Sequence, residues 1–65
     1  MTTGEQIKSA RKAIGLTQKK LAIMVSMEEG DISKLENDLR NPAESTIKKI
    51  SNALGVDIII ECERE

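Results

Sequence analysis

The chain has 65 residues, 32% of them charged, with a net charge of −1, one cysteine, no histidine and no aromatic residue. That length holds one compact core and no second domain, expected here as residues 1–65 with a core over 4–55 and a tail over 56–63. Those counts exclude a disulfide framework and a histidine-activated nucleophile, and with no carboxylate pair in a recognisable frame they argue against an enzyme; no cofactor or metal site is expected.

Charge is uneven along the chain. From Met1 to Met27 the only acid is Glu5, set against Lys8, Arg11, Lys12, Lys19 and Lys20, whereas acids outnumber bases from Glu28 onward. The N-terminal stretch has neither a basic n-region nor an apolar h-region, and no apolar run reaches the ~18 residues of a membrane span. The expected location is therefore the cytoplasm, with no membrane partner.

In chain order, Thr3 and Gln6 have the spacing of a capping box, and Ile7, Ala10 and Ile14 recur at helical spacing, predicting a first helix over about Gly4 to Ile14 closed by Gly15. Thr17 then has the character of an N-cap, and Leu21, Ala22 and Val25 form the apolar stripe of a second helix over Gln18 to Val25. Ser26 to Glu29 is a short joint whose ends could form a second capping box, and Ile32 and Leu35 mark a third helix ending near Asn37. Two short helices joined this way are a helix-turn-helix. Asp38 to Pro42 is polar and ends in proline, which predicts a loop; Ile47, Ile50 and Leu54 then give a fourth helix closed by Gly55. From Val56 to Glu63 the period changes to two, which predicts a β-strand; a lone strand needs a ladder partner, most simply its own copy across a two-fold axis.

The run Ile7-Lys8-Ser9-Ala10-Arg11, Gly15-Leu16-Thr17-Gln18, Leu21-Ala22, Ile32-Ser33-Lys34-Leu35-Glu36-Asn37, Asn41-Pro42 and Ala53-Leu54-Gly55-Val56 resembles the Xre/Cro family, the lambda-repressor-like helix-turn-helix proteins. The match covers about Glu5 to Val56. It implies an all-α, compact four-helix fold and a transcriptional regulator, a repressor or antitoxin-type autoregulator, that binds operator DNA. By that resemblance Gln18, with Thr17 and Lys19 beside it, anchors a DNA phosphate at the start of the second helix, where free amides also favour an anion. The third helix would lie in the major groove with Glu28, Glu29, Gly30, Ser33 and Lys34 toward base edges, and Asn37, Arg40 and Asn41, with Lys8 and Lys12 of the first helix, flanking the groove as phosphate contacts. Arg11 and Glu36 match a family pair that ties the first helix to the third; on composition alone both would be solvated charges.

Glu28, Glu29 and Asp31 depart from the family, which favours Gln, Arg, Ser, Thr or Lys there. Three readings stay open for this acidic turn. The acids can complement the helix dipole; they can accept a hydrogen bond from cytosine N4, with Gly30 allowing close approach; or the face can serve a basic protein surface, such as a toxin, in place of DNA. The strand-like tail resembles the HigA and HipB type of antitoxin and predicts a homodimer through Val56, Ile58, Ile59 and Ile60, with Cys62 a small hydrophobe of the strand.

Overall fold

The computed structural model of the chain describes residues 2–59. It contains four helices, α1 (Thr3–Ala13), α2 (Gln18–Met24), α3 (Glu29–Glu36) and α4 (Glu44–Leu54). All four predicted helices are present, with boundaries shifted by a residue or two. None is long and apolar enough to cross a membrane.

The capping box of α1 sits one residue earlier than the spacing suggests. Thr2 Oγ1 accepts from the Glu5 amide at 3.1 Å while Glu5 Oε1 accepts from the Thr2 amide at 3.0 Å. Thr3 is instead buried inside the first turn, and the Gln6 side chain faces the tail.

Three helices close through the same paired hydrogen bonds, in which a residue in the left-handed region lets its own amide and the next one reach back to the last turn. After α1 that residue is Gly15, φ 76°, with Gly15 N bonded to Lys12 O and Leu16 N to Arg11 O. After α2 it is Ser26, φ 59°, with Met27 N donating to Ala22 O at 2.8 Å. After α3 it is Asp38, φ 58°, with Leu39 N donating to Lys34 O at 2.9 Å. Ser26 therefore terminates α2 and does not cap α3. The N-cap of α3 is Glu28, which makes no side-chain capping bond, so the Ser26–Glu29 box of the sequence reading is corrected.

The core is wholly aliphatic. Ile7 of α1, Leu21, Ala22 and Val25 from α2 and its end, Ile32 and Leu35 of α3, and Ile47, Ile50 and Leu54 of α4 are buried together, with Ala10, Leu16, Met27, Ala53 and Ile58 packed against them. The helix α3 packs on both α1 and α2, which makes it the central element of the N-terminal part. At the junction of α1 and α3 a side chain has no room. A β-carbon on Gly4 would stand 2.6 Å from Glu36 O and closer still to Leu35 O. The Gly4 amide uses that proximity to donate to Asp38 Oδ1 at 3.0 Å, and Thr2 Oγ1 donates to Asp38 Oδ2 at 2.7 Å. Asp38 thus ends α3 with its backbone and caps α1 with its carboxylate.

The strand expected over Val56 to Glu63 is not formed among the described residues, where Val56 to Ile59 is irregular; Ile60, Cys62 and Glu63 lie outside them. Side chains of the same chain take the place of a ladder. Gln6 accepts from Ile59 N through Oε1 and donates to Ile59 O through Nε2, both at 2.9 Å, while Ile58 N donates to Ser51 Oγ at 3.2 Å. Of the residues expected to pair two copies, Ile58 is half-buried on its own core, and Val56 and Ile59 are exposed.

Candidate nucleic-acid interface

A hydrogen-bonded network at the C-terminal end of α3 joins three of the side chains singled out from the sequence, Arg11, Gln18 and Glu36. Arg11 and Glu36 are buried, their side chains 9% and 1% exposed, and meet through Nε and Oε2 at 2.6 Å and Nη2 and Oε1 at 3.1 Å. This two-pronged geometry matches the fork of a guanidinium to the two oxygens of a carboxylate. The solvated reading of these charges is therefore wrong: the pair is an internal tie between α1 and α3. The Arg11 Nη1 also donates to Leu16 O at 2.7 Å, which fixes the backbone just before the N-cap of α2.

Gln18 joins the same network. It is the first residue of α2, half-buried, and its Nε2 donates to Glu36 Oε1 at 3.0 Å. The side chain is thus oriented by the interior pair and not free to sweep through solvent. Its Oε1 and second amide hydrogen remain to meet a ligand. Thr17 is the N-cap of α2, as expected, with Oγ1 accepting from Lys20 N at 3.0 Å. Lys19 and Lys20 are exposed beside it.

Along α3, Glu28, Glu29, Gly30 and Lys34 are exposed and Ser33 is half-buried. A β-carbon on Gly30 would meet nothing within 4 Å. No contact among the described residues therefore requires glycine at this helical position, although it costs up to about 1 kcal/mol in helix propensity. Asn37 caps α3 and donates through Nδ2 to Ser33 O at 2.9 Å. Arg40, in the loop after α3, turns back on the first turn of that helix, where its Nη1 lies 2.8 Å from Asp31 Oδ1. Asn41 is exposed in the same loop.

The structure thus joins Gln18 to the far end of α3 and Arg40 to its near end. Lys8 and Lys12 are exposed on α1 and take no part in either link. The Gln18–Glu36 and Asp31–Arg40 contacts went unread in the sequence because both cross between elements at spacings that no helical period marks. Opposite charge on Asp31 and Arg40 was the only available signal.

The helix-turn-helix family model HTH_3 matches residues 7–60 of the chain. The immunity repressor protein of Bacillus phage phi105 is 36% identical over 58 residues, covering 89% of this chain and 40% of the relative. The HTH-type transcriptional regulator ImmR of Bacillus subtilis strain 168 is 36% identical over 56 residues, covering 86% of this chain and 44% of the relative. The chain therefore spans less than half the length of these curated relatives. Among solved structures, the c2 repressor of P22, in complex with a synthetic operator, superposes with a TM-score of 0.82 at 28% identity, covering 88% of this chain and 86% of that one.

Proposed function

The chain belongs to the helix-turn-helix family, and from that premise we propose that it is a sequence-specific DNA-binding transcriptional regulator of the repressor type. The observation that carries the reading is Gln18, held by Glu36 at the start of α2 so that one helix of the motif is registered against the other. Such a registered amide suits a phosphate contact, which positions the protein, while the exposed first turn of α3 suits base edges, which specify the sequence.

In this reading Gln18, Thr17 and Lys19 hold the backbone on one side of the groove, and Asn37, Arg40 and Asn41 hold it on the other. Glu28, Glu29, Gly30, Ser33 and Lys34 face the bases. Gly30 is consistent with the reading, because no contact among the described residues calls for a glycine there and its missing side chain would let a base pair approach the helix backbone. The relatives are repressors and regulators, which favours this reading over a module that binds only protein. The proposed homodimer uses the exposed Val56 and Ile59, so the bound sequence should be two-fold symmetric.

Repeated selection from a random duplex library tests the proposal. The expected result is an enriched, inverted-repeat sequence bound at least about 1,000-fold more tightly than a random duplex. Failure to enrich any sequence would remove the proposal.

A further inference from the structure

The three acids at the start of α3 are not equivalent. Glu28 and Glu29 make no ion pair among the described residues, whereas Asp31 holds Arg40 at 2.8 Å. That pair is open to water, its side chains 36% and 48% exposed. Exposed pairs of this kind are weak, so a competing anion can displace the carboxylate. A guanidinium fits a phosphate with the same fork geometry that it offers a carboxylate. Arg40 therefore sits where two anions compete for it, one of them built into the protein.

We propose that Asp31 is a specificity-determining residue that acts by competition: it occupies Arg40 until DNA offers both a phosphate for Arg40 and a base amino group for Asp31. The inference rests on the DNA-binding reading given above. On a random duplex, transferring Arg40 to a phosphate strands Asp31 close to the polyanion, and the exchange yields little. At the cognate site the released carboxylate accepts from cytosine N4 or adenine N6, and both charges end paired. Breaking the internal pair costs the same at every site, and only the right sequence offsets that cost with a new bond to Asp31. This gives the acidic turn a role in a DNA-binding protein, since an acid that only repelled phosphate would weaken all binding alike.

The test is a double-mutant cycle on Asp31 and Arg40, read by fluorescence anisotropy with a random duplex and with the selected one. Asp31→Asn should raise random-duplex affinity about five- to tenfold and steepen the slope of log K against log salt by about 0.9, the signature of one added phosphate contact. Its affinity for the selected duplex should not rise, so the specificity ratio falls. Arg40→Ala should lower random-duplex affinity less in the wild-type background than in the Asp31→Asn background, where it should abolish the gain. Glu29→Gln, which removes an acid that holds no arginine, controls for simple charge removal and should act independently of Arg40. Circular dichroism on each variant confirms that the helices are retained. If the wild-type chain binds duplex and Asp31→Asn leaves random-duplex affinity and slope unchanged, or if its gain survives Arg40→Ala, this inference alone is overturned. A wild-type chain that binds no duplex overturns the DNA-binding reading and this inference with it.

Discussion

Ser26 and Asp38 share a backbone conformation, φ 59° and φ 58°, that costs an L residue roughly 1–2 kcal/mol, yet they should respond oppositely to glycine. The Ser26 side chain makes no hydrogen bond that closes its turn, so Ser26→Gly should raise unfolding free energy by about 1 kcal/mol. Asp38 carries the bonds from Gly4 N and Thr2 Oγ1, so Asp38→Gly should lower it by about 1–2 kcal/mol despite the relieved backbone. Urea denaturation of the two variants beside the parent chain checks both signs. Gly4 and Asp38 escaped the sequence reading for one reason: their roles arise where the end of α3 meets the start of α1, and neither residue has a local signal. Gly15 and Gly55 were legible because a glycine just past an apolar stripe is itself a helix-end signal, and both stand at positive φ.

At the scale of elements, the apolar stripes placed all four helices because each helix buries one face. The 3.6-residue period survives in Ile47, Ile50 and Leu54 as it does in Leu21, Ala22 and Val25. Over Val56 to Ile59 the tail departs from the strand expectation for a physical reason. Alternation of Val56, Ile58 and Ile60 is what a strand requires, but a strand forms only with a ladder partner, and Gln6 and Ser51 satisfy Ile58 and Ile59 through side chains. The Arg11–Glu36 pair joins α1 to α3 and, through Gln18, to α2, so its members should separate folding from binding. Glu36→Ala leaves a buried guanidinium without its partner and should cost about 3–5 kcal/mol. Gln18→Ala removes a half-buried hydrogen bond and should cost only about 0.5–1.5 kcal/mol, while weakening duplex binding in a well-folded protein. Thermal denaturation together with duplex titration of the two variants tests this division. Equal losses of stability would show that Gln18 is a structural member of the network and not its ligand-facing end.

For the whole molecule, an aliphatic core and an interior ion pair settle the shape, and the proposed binding residues lie outside that core. Such a division lets the surface of α3 change without disturbing the fold beneath it. It also explains which part of the candidate site was legible. Gln18, Ser33 and Asn41 stand in motifs with fixed spacing, whereas the pairing of Asp31 with Arg40 depends on how the loop after Asp38 folds back. The most direct test of the account is to titrate 15N-labelled protein with the selected duplex and follow amide chemical shifts. The account predicts that the largest changes fall on Gln18, Lys19, Gly30, Ser33, Lys34 and Arg40, with any smaller changes at Val56 and Ile59 reporting pairing of two copies. Changes centred on the exposed face of α4, with α2 and α3 unmoved, would contradict it.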